Sequence, residues 1–136
     1  MRRRADDRLR WGPKLRLAVR VWRLYVRVRL GLRRSSLPVF VQELARIPIR
    51  ADRHSPALLS LAVHRSLQLG PLRPRCLTNS LVLYGLLREQ GDQAEVVIGL
   101  PAQARDHAAH AWVELEHRDV GPPPGRGRHT AIARFP

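Results

Sequence analysis

Apolar residues recur along this chain with two periods, helical through its first two thirds and strand-like afterwards. From Lys14 to Leu32 the residues Arg16, Arg20, Arg23 and Arg27 fall at steps of four, three and four, which puts them on one face of a helix. Leu15, Ala18, Val19, Trp22, Tyr25 and Val26 form a complementary apolar stripe, for which packing on the core is the first of three readings weighed below. Alternation from Leu15 to Val21 would also suit a strand, but it fails at Trp22 and Leu24. Ser36-Leu37-Pro38 predicts a break, Val39 to Arg46 a short helix stopped before Pro48, and Ile47 to His54 a polar loop. Ser55-Pro56 is a helix start, serine as N-cap and proline at the first helical position. On that helix Leu58, Leu61, Ala62, Arg65 and Leu69 share a face, and Gly70-Pro71 ends it.

Pro71 and Pro74 force an extended approach into Arg75-Cys76. From Cys76 to Gln90 the helical pattern is strong: Leu77, Leu81, Tyr84 and Leu87 repeat, and Gly91 closes the helix. Gly85 in its interior costs about 1 kcal/mol against alanine and points to a close approach by another element. Ala94 to Leu100 is short and β-branched, a buried strand. Pro101 to Asp106 is a loop. Ala109 to Glu116 is a second strand, with His110, Trp112, Glu114 and Glu116 on one face, expected to meet a polar environment, and Ala111, Val113 and Leu115 on the other. Glycine and proline dominate from Gly121 to Gly127, and His129 to Phe135 reads as a final edge strand. N-terminal helices followed by a small antiparallel sheet describe an α+β domain.

Composition narrows this picture. At 136 residues the chain is one domain, or a basic amphipathic helical arm over 1–50 joined to a core over 51–136. A single cysteine excludes an internal disulfide, so nothing requires an oxidising compartment. Net charge is +14, and every basic residue except Lys14 is arginine. That bias suits a GC-rich genome, so the arginines are weighed by where they fall. Thirteen of the 25 basic residues lie between Met1 and Arg34, against two acids, Asp6 and Asp7. No apolar run approaches membrane-spanning length, and the clean apolar centre of a secretory signal is missing, so a cytoplasmic location is expected, with the inner membrane surface as an alternative. For the basic helix three readings stand: an apolar stripe on the core with arginines in water, a helix on an anionic membrane surface, or a dock for an acidic partner or peptide. Nucleic acid ranks last, since no zinc-finger spacing, aromatic RNA-binding motif or glycine-rich clamp accompanies the charge.

Cys76 carries the candidate chemistry. A thiol at a helix N-terminus meets the positive end of the backbone dipole, which favours the thiolate. His110, on a strand 34 residues later, supplies an imidazole that can take the thiol proton. Spacing alone does not establish the pair, because a lone cysteine is more often a buried, inert hydrophobe. Asp106, His107, His110 and His117 crowd one segment, but they lack a recognisable zinc spacing, so neither a metal nor a cofactor is expected.

Three blocks occur in order: Arg75-Cys76-Leu77 with Ser80-Leu81-Val82-Leu83-Tyr84 and Leu86-Leu87-Arg88; Gly91 with Val97-Ile98-Gly99; and Ala109-His110-Ala111-Trp112-Val113-Glu114. Over roughly residues 55 to 120 the chain thereby resembles the transglutaminase-like cysteine peptidases of lasso-peptide maturation, which remove the leader from a ribosomally made precursor. The resemblance implies a transglutaminase-like, papain-like core, with Cys76 as nucleophile and His110 as general base. It also implies a separate leader-recognition protein, a precursor peptide substrate and a downstream cyclising enzyme. Such peptidases carry an aspartate about a dozen residues after the histidine; here that stretch is Gly121-Pro122-Pro123-Pro124. Asp119 is the nearest acid, either orienting the imidazole or simply holding a turn. Two alternatives remain on the same fold: a non-catalytic peptide-binding or scaffold protein, and an acyl or amide transferase using the same Cys-His pair.

Overall fold

The computed structural model describes residues 11–51, 53–68, 76–101, 110–122 and 129–136. Among these the chain forms helices α1 (Trp11–Arg34), α2 (Leu37–Ala45), α3 (Pro56–Gln68) and α4 (Cys76–Glu89). Strands β1 (Ala94–Pro101), β2 (His110–Leu115), β3 (Arg118–Gly121) and β4 (His129–Phe135) follow them. The expected α+β order, helices before a small antiparallel sheet, is the order observed.

Helix α4 is the centre of the molecule. Apolar residues surround its axis, and Leu81, Val82, Leu83, Tyr84, Leu86 and Leu87 have no exposed surface. A helix apolar all round must be covered all round. Here α1, α2 and α3 pack against it, and β1 and β2 cover what remains. Gly85 does admit a close approach: a Cβ there would lie 3.2 Å from a methyl of Leu24 on α1. At its C-terminus Gly91 takes φ 87°, and the Asp92 N–H donates to the Leu87 carbonyl, the 6→1 bond of a Schellman ending. Buried Gln90 then ties this end to the segment before α3, donating to the His54 carbonyl at 2.8 Å and accepting from the His54 N–H at 3.1 Å.

Helix starts follow local chemistry closely. Ser55 caps α3 by accepting from the Leu58 N–H at 3.2 Å, with Pro56 as first helical residue. The break before α2 is shorter than expected: Ser36 is the N-cap, and Leu37 and Pro38 already belong to the helix. Proline is tolerated there because the first-turn N–H groups have no intrahelical acceptor. The expected end of α3 at Gly70-Pro71 and the extended approach through Pro71 and Pro74 lie outside the described residues.

Two helix faces differ from the expectation. On α1 the core receives Leu17, Val21, Leu24, Tyr25 and Val28. Of the expected stripe only Tyr25 is buried, whereas Leu15, Val19, Trp22 and Val26 are exposed. On α3 the buried row is Leu59, Val63 and Leu67, while Leu61 and Arg65 face solvent. Both helices carry apolar residues on more than one side, and the side that includes or adjoins arginine is the solvent side. Arg20 is the exception among the α1 arginines: it reaches Glu89 at the end of α4 at 2.8 Å, with 10% of its side chain exposed.

The sheet runs β3-β2-β1-β4, all neighbours antiparallel. Its Val96 and Val113 side belongs to the helix-packed core. β4 is an edge strand, as expected. β3 was not anticipated, because the β2–β3 connection lacks the usual Asn-Gly signature. Glu116 and His117 both take positive φ, 53° and 65°, forming a two-residue turn from non-glycine residues. Glu116 therefore sits in the turn and not on the His110 face of the strand.

The rotation of α1 is testable by paired truncations. Leu24→Ala, which opens space beside Gly85, is expected to cost about 2–4 kcal/mol. Val26→Ala, 53% exposed two residues on, is expected to stay within about 0.5 kcal/mol. Denaturant unfolding of the two variants checks both values.

Candidate active site

Cys76 opens α4 as its first residue and is half-buried. The first turn of α4 contains no acidic residue, so no side-chain carboxylate there opposes the positive end of the dipole. The same helix row continues through Ser80 and Tyr84, four and eight residues on. Both are fully buried, and neither hydroxyl has a hydrogen-bond partner among the described residues. Burial pushes the Tyr84 hydroxyl above its ordinary value, with the positive charge of Arg88 pulling the other way.

His110 opens β2, the strand that lies between β1 and β3 and packs on α4. Its backbone neighbour across the rung is Gly99 of β1. The imidazole stacks on Trp112, ring centroids 5.9 Å apart. Trp112 in turn fills the space over Gly99: a Cβ on that glycine would lie 2.5 Å from the indole and 2.9 Å from the Thr130 carbonyl of β4. Gly99 of β1 is thus the residue whose missing side chain leaves room for the indole.

The His110 face was expected to be polar, and it is polar in one part only. Trp112 is 1% exposed, and Glu114 is 3% exposed. Arg134 of β4 reaches over β1 to bond the Glu114 carboxylate, and lies 3.5 Å from Glu95 on the way. The Glu114 hydrogen bond and charge push the Arg134 guanidinium above its ordinary value. The arginine that completes this three-strand ion network is not legible in the sequence, because Glu114 and Arg134 lie 20 residues apart on strands separated by β1.

Asp119 lies on β3 opposite Glu114, not opposite His110. Four residues of strand separate those rungs, roughly 13 Å along β2. The Asp119 carboxylate accepts from the Gly121 N–H at 2.8 Å, a side-chain turn at the end of β3. The register therefore brings the Asp119 backbone beside Glu114. His117 occupies the exposed β2–β3 turn, while Asp106 and His107 lie outside the described residues. Among the described residues no group of three metal-ligating side chains forms.

Among the described residues, four helices followed by a four-stranded antiparallel sheet, with His110 at the head of an inner strand and the chain's one cysteine opening the central helix, form an α+β domain. A family model described as the transglutaminase-like superfamily matches residues 18–134, and the chain belongs to that superfamily. Its members are typically cysteine-type enzymes. No curated protein and no solved structure matches the chain.

Two substitutions probe this region. Gly99→Ala is expected to destabilise by about 1–3 kcal/mol, because the added Cβ meets the Thr130 carbonyl as well as the indole, and backbone cannot yield as a side chain does; thermal unfolding measures it. For Tyr84 the sign follows from its raised folded-state value. Below pH about 10 both states hold the proton; above it the unfolded chain ionises first, so stability falls as pH rises. Tyr84→Phe is expected to melt no lower than the parent at pH 8 and to lose less between pH 9 and 11. A steeper alkaline loss in the variant would contradict the assignment.

Proposed function

We propose that this chain is a cysteine peptidase that removes the leader from a ribosomally synthesised, lasso-type precursor peptide. The observation that carries the proposal is the placement of the sole cysteine as the first residue of a fully packed helix, against which the strand headed by His110 is laid. Superfamily membership supports cysteine chemistry, and the motif blocks shared with leader peptidases support the substrate class.

In this mechanism His110 takes the Cys76 proton and the thiolate attacks the scissile carbonyl carbon. The backbone N–H of Cys76, at a helix start where first-turn N–H groups lack intrahelical acceptors, is the natural donor to the developing oxyanion. Collapse breaks the C–N bond, with His110 giving its proton to the departing amine, and leaves a thioester on Cys76. Water, deprotonated by His110, then attacks the thioester; the leader departs with a free carboxylate and the thiol is restored. The precursor is proposed to be presented by a separate leader-recognition protein and handed on to a cyclising enzyme.

Leader release from a precursor, followed by mass spectrometry with the presenting protein supplied, tests this reading. Cys76→Ala and His110→Ala are each expected to lower the rate by about 10³-fold or more, and the double variant by little further, since residues that act as a unit are not additive. An orienting acid in contact with the imidazole would cost on the order of 10⁴-fold when made neutral. Asp119→Asn is expected to cost less than about tenfold, in line with its rung opposite Glu114. Undiminished cleavage by Cys76→Ala would sink the proposal.

A further inference from the structure

The helix α1 is apolar on two opposite sides, and the fold uses one. Leu17, Val21, Leu24 and Val28 enter the core. At 100° per residue, Leu15, Val19, Trp22, Val26 and Leu30 form a second line roughly opposite to them. These five are 67%, 49%, 36%, 53% and 45% exposed. The line is about 22 Å long at 1.5 Å per residue. Beside it, Val19, Trp22, Val26 and Leu30 meet Phe40 of α2 in an open trough of about 850 Å³. An unbroken apolar line of this kind, not needed for packing, marks a surface that something else covers.

Charge identifies what covers it. Helix α1 carries eight basic residues and no acid. Arg16, Arg23, Arg27 and Arg34 run along one flank of the line, Arg29 along the other, and Arg33 stands at its C-terminal end; all are exposed. None of them makes an ion pair among the described residues, in contrast to Arg20, which is held by Glu89. The one acid lining the trough is Glu43. A second copy of the chain, paired by two-fold symmetry, would bring these arginine rows toward each other. A folded partner would need acids placed to match both flanks. A plane of lipid phosphates meets them wherever they fall, while the arginine stems lie along the apolar surface with their heads at the phosphates. No described helix is long and apolar enough to cross a bilayer, so the contact is with its surface.

We propose that the outer face of α1 docks the protein on an anionic lipid surface, with Leu15, Val19, Trp22, Val26 and Leu30 in the acyl boundary and the flanking arginines at the phosphates. The contact is independent of the chemistry at Cys76, so it is measured on Cys76→Ala protein. Sedimentation with vesicles of phosphatidylglycerol and phosphatidylcholine is compared with vesicles of phosphatidylcholine alone. Partitioning is expected to be at least about tenfold stronger on the anionic vesicles and to weaken steeply with salt. Arg23→Gln/Arg27→Gln is expected to weaken it by about 25-fold, at about fivefold per charge. Leu15→Ser/Val26→Ser alters exposed positions only, so its melting temperature is expected to hold while binding falls about tenfold. Brominated acyl chains are expected to quench Trp22, and the quenching to vanish in Trp22→Phe.

Several results would overturn the proposal. Absent binding, or equal binding to both vesicle types, removes the electrostatic basis. Salt-sensitive binding untouched by Leu15→Ser/Val26→Ser means adsorption through charge elsewhere. Lipid-free dimerisation abolished by that double variant assigns the face to a second copy. A synthetic acidic amphipathic helix that binds the wild type at least tenfold more tightly than the vesicles do, and not the double variant, assigns it to a peptide.

Discussion

Burial of α4 from Ser80 to Leu87 is the constraint on which the rest depends. A helix stretch with no solvent face can be stable only if other elements surround it, and three helices and a sheet do so here. The consequence reaches Cys76. A cysteine at the head of an isolated helix would fray with the first turn, but this helix is fixed along its length by side chains with no exposed surface. Its far end is fixed as well, by the Gly91 ending, by Gln90 on the His54 backbone and by Arg20 on Glu89. The Arg20 bridge also offsets a carboxylate placed at the unfavourable, negative end of the helix. Position at the first residue is thereby inherited from packing at the other thirteen.

The sheet fixes the histidine by a different means. β2 is paired with β1 along its whole length, so its head cannot slip in register without moving the whole core face by one residue. On the face of His110, the indole of Trp112 stacks on the imidazole, and it has room there because Gly99 presents no side chain. Farther along, Glu114 is buried and bonded by an arginine from β4, which locks the edge strand across β1. A buried carboxylate is costly alone and tolerable when paired, so β4 is held both by its ladder and by the need to keep Arg134 over Glu114.

Element types were legible where local chemistry decides them. Ser55-Pro56 wrote the start of α3, Gly91 the end of α4, and the β-branched run after Ala94 a buried strand. Orientation was less legible, because periodicity finds apolar rows without ranking them. In α1 two rows lie either side of the same arginines, and in α3 the row through Leu58 competes with the one through Leu59. What chooses between them is complementarity with α4, a tertiary fact. β3 was hidden for a third reason: its turn is made by Glu116 and His117 in backbone conformations that residues other than glycine rarely adopt. At the site, the elements carrying Cys76 and His110 were readable from sequence, while the rung of Asp119 was not, since that depends on the unanticipated hairpin.

The two rows of α1 also explain each other. A helix carrying eight cations and no acid is self-repelling in isolation, and its arginines gain little from water-exposed packing alone. Its inner row makes it part of the core, so it cannot detach to relieve that repulsion without exposing Leu24 beside Gly85. The outer row then sits at a fixed depth and angle relative to the body of the molecule. A mobile basic tail would deliver charge to a surface with no set orientation. A basic helix fixed to the helix that bears the cysteine makes the orientation of the whole domain at that surface a consequence of how α1 packs on α4.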